Sequence, residues 1–290
     1  MKKLSAWSIG TYTQCERKFL YQRDRYPVDC GYSTPAAFTF GRAFHEAIDQ
    51  EDDAFEDVIA LIGSDYRQMK TAIVLEIAAK HDLNTVHTGK LLACLRSYFE
   101  RWPRSNIIAR EKWLNGSIAL TGRVDSILQD DTGIWIVETK TTSSISPTFI
   151  LEKMTDVQCA LYCHLASNLF EDCGLDYSLF RGVKYRVVEK PKQMLLKACK
   201  KRAEEETAID YSLRCDKPRV EEFDVHSHVV DVSGMLKKCD QITLALSQKN
   251  EVSDFCQNLN ACKTFGQLCE YHTTCHGFNA NLDDDSNVDF

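Results

Sequence analysis

Three short stretches of this sequence carry side chains that could do chemistry together. Gly122-Arg123-Val124-Asp125 offers a carboxylate, Glu138-Thr139-Lys140 a second carboxylate with an amine, and Gly41-Arg42-Ala43-Phe44-His45 an imidazole. Glu138 and Lys140 are two residues apart, so on a strand they share a face. If Asp125 lies on the antiparallel neighbour, a short turn brings its carboxylate beside Glu138. Two converging carboxylates suit a hard divalent cation such as Mg²⁺. An added imidazole makes Mn²⁺ an alternative. Such a cation polarises a phosphate oxygen and acidifies a bound water. Lys140 would hold the attacking water or stabilise charge building on phosphorus. These are the parts that phosphodiester hydrolysis requires.

Taken alone, a Glu-x-Lys on a strand is usually a solvated surface pair. Here Ile134, Ile136 and Val137 precede Glu138, which predicts a buried strand instead. The positioning elements can be read around it. Ser8 is a candidate N-cap for a helix through Tyr12, Cys15, Phe19 and Leu20. A helical pattern resumes near Ala43 and runs, with breaks near Gly63 and His81, to Trp102, where Pro103 stops it. Three strands follow, Ile107 to Trp113, Ser117 to Gln129 and Ile134 to Lys140. Asn115-Gly116 and Asp130-Asp131-Thr132-Gly133 are hairpin signals between them. Next come a helix from Leu151 to Phe170, carrying Gln158 and Tyr162, and a fourth strand from Leu179 to Val188. The remainder reads as mostly helical, with a cysteine-rich loop from Asn258 to Cys275 and an acidic tail. This order predicts an α/β core with a mixed sheet.

The conjunction of Gly-x-x-x-His, Gly-x-x-Asp, Glu-x-Lys and Gln158-x-x-x-Tyr162, in that order, resembles the PD-(D/E)XK nuclease superfamily, in particular its RecB-like branch. That branch includes phage exonucleases, CRISPR adaptation nucleases and AddB-type nuclease domains. The resemblance spans Ser8 to Cys275. It implies a restriction-endonuclease-like fold, with a central mixed sheet flanked by helices, a helical N-terminal region and a Cys-rich C-terminal segment. It implies that His45, Asp125, Glu138 and the carbonyl of Thr139 bind Mg²⁺ or Mn²⁺. Lys140 is then the catalytic lysine, and Gln158 and Tyr162 form the helical motif beside the site. A single nuclease domain over 1–276 is expected, with a helical insertion at 46–103 and a disordered tail at 277–290.

The 13 cysteines are many for a chain read as cytoplasmic, or as lying in a bacterial host's cytoplasm if phage-encoded. Cys262, Cys269 and Cys275 share one loop, and with distant Cys15 they could form a four-thiolate site for zinc or an iron–sulfur cluster. The RecB-like resemblance implies a [4Fe–4S] cluster that ties residues 1–25 to 256–276, although Cys15 is followed by Glu16 rather than proline. Cys94, Cys159 and Cys163 fall in helical patterns as small apolar residues.

The net charge of −7 argues against indiscriminate binding along nucleic acid. A basic segment from Arg181 to Arg202 stands out, and Lys184, Arg186, Arg42, Gln158 and Tyr162 are the expected nucleic-acid contacts. Trp102, Trp113 and Tyr185 are candidates for base stacking, although core positions are commoner for such residues. The expected function is a DNA exonuclease acting on single strands or duplex ends. Its alternatives are a non-catalytic DNA-binding protein of the same fold with a structural Fe–S or zinc site, and an iron–sulfur sensor. The tail, with Asp283, Asp284, Asp285, Asp289 and Phe290, resembles the acidic tips of single-stranded-DNA-binding proteins and implies a possible protein partner. No run of 18 apolar residues suggests a membrane span.

Overall fold

The computed structural model describes residues 3–28, 36–53, 66–102, 106–115, 120–192, 206–249, 251–264 and 267–276. The chain divides into two compact units. The larger comprises Thr34–Gly116 and Gly122–Asp231; the smaller comprises Met1–Ser33, Ser117–Thr121 and Val232–Phe290. The basic residues at 197, 200, 201 and 202, the helix break near Gly63 and the acidic tail lie outside the described residues.

The larger unit is built on five strands: β1 (Ile107–Asn115), β2 (Thr121–Asp130), β3 (Gly133–Thr142), β4 (Phe180–Glu189) and β5 (Val220–His226), paired in that order. β2 and β3 are antiparallel, with Ser126 opposite Val137. β3 and β4 are parallel, with Glu138 opposite Tyr185, and β4 and β5 are antiparallel. The sheet is therefore mixed, as the order of elements predicts. Residues Ile134 to Thr139 are all buried, which is the pattern of a central strand covered on both faces. Asp130 anchors the β2–β3 turn, its Oδ1 accepting from Thr132 N at 2.8 Å and Gly133 N at 3.2 Å.

Parallel strands need a crossover, and helices supply it here. The expected single helix from Leu151 to Phe170 is two. α6 (Pro147–Met154) stops at Thr155, and α7 (Val157–Asp172) restarts with Asp156 as N-cap, accepting from Gln158 N at 3.0 Å. α3 (Ala36–Asp53), α4 (Tyr66–Lys80) and α5 (Thr85–Arg101) form a separate apolar cluster around Phe40, Phe44, Ile77, Leu91, Cys94 and Tyr98, which Val188 of β4 joins. Cys94, Cys159 and Cys163 are buried, as small apolar residues would be.

Two further boundaries differ from expectation. The first helix is capped by Ser5, not Ser8: Ser5 Oγ accepts from Ser8 N, and Ser8 Oγ accepts from Ser5 N, a reciprocal box. It breaks at Cys15, whose backbone is extended, into α1 (Ala6–Gln14) and α2 (Glu16–Asp24) of the smaller unit. β5 lies in a region read as mostly helical. Its sequence, Val-Glu-Glu-Phe-Asp-Val-His, alternates only from Glu222 to His226 and is rich in acids, two of which, Glu222 and Asp224, pair with Arg186 and Lys184 of β4. The smaller unit also contains α8 (Val232–Gln248), a hairpin of Lys263–Thr264 with Gln267–Leu268, and a short helix, His272–His276. Among the described residues no helix is long and apolar enough to cross a membrane.

Gly182 of β4 stands opposite His226 of β5. Its φ of 144° disfavours any side chain, and an added Cβ would lie 2.2 Å from the Val225 carbonyl oxygen. Gly182→Ala should destabilise the protein by about 2 kcal/mol or more. Denaturant unfolding reads this directly, and an unchanged midpoint would contradict the close approach.

Candidate active site

The site is assembled at the β2–β3 pair from side chains that four elements deliver. β3 contributes Glu138 and Lys140, β2 contributes Asp125, α3 contributes His45, and the first turn of α7 contributes Gln158 and, four residues on, Tyr162. The spacing of four places Gln158 and Tyr162 on one helix face.

Glu138 is almost fully buried, at 2% exposure. Its Oε1 accepts from Lys140 Nζ and from Gln158 Nε2 at 2.8 Å; its Oε2 accepts from the Tyr162 hydroxyl at 3.0 Å. Gln158 Oε1 in turn accepts from Lys140 Nζ at 3.1 Å, and Gln158 Nε2 also reaches the Tyr162 oxygen at 2.7 Å. The Tyr162 hydroxyl lies 2.6 Å from the Arg123 carbonyl oxygen, tying α7 to the backbone of β2. Asp125 Oδ2 accepts from Thr139 N at 2.7 Å and lies 3.5 Å from His45 Nδ1. All six expected side chains thus belong to one contact network.

The electrostatics are unbalanced towards negative charge. Burial, followed by the charge on Glu138, pushes Asp125 up to about 6, against the opposing pull of His45, Lys140 and the Thr139 amide. Burial also works against the Lys140 ammonium, but Glu138 and Asp125 outweigh it and hold its pKa above the ordinary value. Tyr162 is held well above its usual value by burial and then by Glu138, so its hydroxyl stays protonated and able to donate.

Two acids that the motif reading did not include join this environment. Asp49, one helical turn beyond His45 on α3, is pushed up to about 7 by burial and then by its contact with Glu111. Glu111 sits on β1 with a left-handed backbone (φ 48°) and pairs with Arg123 Nε at 2.6 Å. The four-residue spacing from His45 to Asp49 was the available signal for one. Nothing in the sequence announces the backbone irregularity that turns Glu111.

Hard carboxylate oxygens with one imidazole, in a cluster whose acids outnumber its cations, are a donor set that fits a divalent cation. As the side chains stand, Glu138 is occupied by three donors and Asp125 by a backbone amide. Among the described residues, no three His, Cys, Asp or Glu side chains are arranged to close on one ion.

The other expected residues divide sharply. Arg42 is exposed on α3, three residues before His45 and so on a neighbouring part of the same helix face. Lys184 and Arg186 are buried and do not present their charges outward. Lys184 Nζ donates to Asp224 at 2.8 Å and sits 4.6 Å over the Trp135 ring; Arg186 Nε donates to Glu222 at 2.9 Å and its guanidinium lies 5.0 Å over Trp102. Their expected role as phosphate contacts is corrected on that ground: they hold β5 to β4. In the smaller unit, Cys15, Cys262, Cys269 and Cys275 line one small cavity together with Lys18, Tyr21 and His272. Among the described cysteines none forms a disulfide.

A model of the PD-(D/E)XK nuclease superfamily matches residues 3–276. The chain belongs to that superfamily, whose members are in general metal-dependent nucleases acting on nucleic acid. No curated protein gives a significant match. The crystal structure of SSO0001 is similar over 83% of this chain and 87% of that chain, at 13% identity and a TM-score of 0.28, which carries no argument.

The raised Asp125 carboxyl has a consequence for stability. A carboxyl whose folded value lies above its unfolded value of about 3.9 costs the fold nothing below that pH. The cost grows as pH rises through about 6 and is constant above. In chelating buffer, Asp125→Asn should therefore raise the melting temperature at pH 8, with the gain shrinking towards pH 4. A gain independent of pH would remove the Asp125 charge as its source.

Proposed function

We propose that the protein is a Mg²⁺- or Mn²⁺-dependent deoxyribonuclease of the RecB-like branch, acting as an exonuclease on single strands or duplex ends. The observation that carries this reading is the buried Glu138 carboxylate, held by Lys140, Gln158 and Tyr162 and neighbouring Asp125. A structural ion pair would need only one such donor. This arrangement instead concentrates negative charge next to a protonated amine, as phosphoryl chemistry requires.

His45, Asp125, Glu138 and the Thr139 carbonyl would hold the cation. When bound, that ion polarises the phosphoryl oxygen and acidifies water at neutral pH. Lys140 remains protonated through neutral pH and presents its charge towards the developing oxyanion. Gln158 orients Lys140 and Glu138 at once, because its amide oxygen accepts from one and its nitrogen donates to the other. Tyr162 fixes the second oxygen of Glu138. Arg42 is the candidate phosphate contact on the α3 side.

We also propose that Cys15, Cys262, Cys269 and Cys275 hold a [4Fe–4S] cluster, with zinc as the alternative. Their shared cavity supports this, because it brings the first and last parts of the smaller unit to one point. Such a cluster would contribute folding energy and no hydrolytic chemistry. A nuclease domain spanning 1–276 with an insertion at 46–103, and a partner-docking acidic tail, complete the proposal.

Replacing Asp125, Glu138 or Lys140 by Ala should lower metal-dependent hydrolysis of linear DNA by about 10²-fold or more. Calorimetry should show weakened metal binding for the two carboxylate variants and near-normal binding for Lys140→Ala. Near-native activity in any of the three removes that residue from the chemistry. Separately, anaerobically purified protein should be brown and carry about four irons per chain. Cys15→Ser should lose the iron and melt at lower temperature, whereas colourless native protein containing zinc would favour the alternative.

A further inference from the structure

Trp113 is the most exposed aromatic side chain among the described residues, at 61%, while its neighbour Leu114 is fully buried. A single exposed aromatic is unremarkable in itself. Trp113, however, is coupled to the site. The Arg123 guanidinium lies 5.9 Å from the centre of its ring, within cation–π range, and the Arg123 side chain remains 56% exposed. Arg123 precedes Asp125 by two residues on β2, so the two share a sheet face about 7 Å apart along the strand. Its carbonyl oxygen lies 2.6 Å from the Tyr162 hydroxyl, which packs against the backbone there.

Glu111 completes the link. Its left-handed backbone in β1 is costly for a non-glycine residue, and it brings the carboxylate against both Arg123 and Asp49. Asp49 stands one turn from His45. A set of contacts therefore runs from Asp49, beside the proposed reaction centre, through Glu111 to the exposed Arg123 guanidinium and Trp113 ring.

We propose that Trp113 and Arg123 form a subsite for an unpaired nucleic-acid strand, the indole stacking on one base and the guanidinium pairing with a phosphate next to the one that is cut. This rests on the nuclease reading and names the residues that would select an unpaired strand. Bases in a duplex already stack on one another and cannot cover the indole, so the subsite favours single strands or frayed ends. Stacking on an aromatic side chain is insensitive to base identity, and preference for a particular sequence is not expected. Arg123→Lys is not conservative here, because only the planar guanidinium matches both the ring and the phosphate.

The test uses the full chain in chelating buffer, with fluorescein-labelled oligodeoxythymidine, oligouridine and a blunt duplex of equal length, read by anisotropy. Trp113→Ala should weaken binding of the unpaired strand about tenfold and leave duplex binding within twofold; Trp113→Phe should restore most of the loss. Arg123→Ala should reduce the slope of log affinity against log salt by about 0.7 for the single strand. Quenching of intrinsic tryptophan fluorescence by oligodeoxythymidine should largely disappear in Trp113→Phe. The two single-stranded probes distinguish a DNA from an RNA preference. Unchanged single-strand affinity in Trp113→Ala, equal losses for strand and duplex, or no single-strand binding by the native protein would each overturn the proposal. If the native protein discriminates as described but cuts nothing when Mg²⁺ or Mn²⁺ is restored, the nuclease reading fails and the subsite stands. Hydrolysis with no effect at Trp113 is the reverse outcome.

Discussion

A carboxylate taken out of water costs several kcal/mol unless its oxygens are answered by donors. Glu138 is in that position, and its surroundings can be understood as the answer to it. Lys140 comes from the same face of the same strand, Gln158 from the first turn of a helix and Tyr162 from the second. The break between α6 and α7 follows from the same need. Had the helix run unbroken from Pro147, its phase would not have been reset at Asp156, the cap that orients the turn bearing Gln158. The parallel pairing of β3 with β4 then forces that helix to cross over the sheet, where its Tyr162 hydroxyl reaches Arg123 of β2. Strand order, helix break and hydrogen-bond network are mutually dependent.

The same cluster illustrates how a site differs from a well-satisfied core. Asp125 and Asp49 are both driven towards the protonated form by burial and by acidic neighbours, which is the opposite of what stability alone would select. Lys140 is likewise held in its protonated form, by the charges of Glu138 and Asp125. Groups that all favour bound protons within one small volume mark a concentration of negative charge that a cation from outside the chain would relieve.

Much of this was legible in advance, for identifiable reasons. The strand bearing Glu138 is marked by an apolar run, and residues two or four apart constrain one another through the geometry of strand and helix. Spacing sets Glu138 beside Lys140 and Gln158 beside Tyr162, with Asp125 on the neighbouring strand; that His45, Gln158 and Tyr162 join them was implied by the resemblance to the superfamily. What escaped depends on pairing between distant segments. β5 has three acids in seven residues and only a short alternation, Glu222 to His226, to mark it as a strand; beside Lys184 and Arg186 its acidic composition makes sense. Those two basic residues were misread for the complementary reason, since a charge looks available until its partner is known. Glu111 escaped because a positive φ in a non-glycine residue leaves no trace in composition. The N-cap at Ser5 was displaced by three residues because two serines, at 5 and 8, serve each other.

β5 is also the outer strand of its sheet, with Glu221, Glu222 and Asp224 along it. An edge strand offers unpaired backbone groups to any other chain in an extended conformation, which is how soluble sheets come to aggregate. Arg110, Glu111 and Lys112 put charges of both signs on the opposite edge, β1. A second copy laying its β5 along this one would bring like charges opposite one another, and one approaching β1 would have to strip water from charged side chains. The residues that hold the sheet together from within thereby also set where it ends.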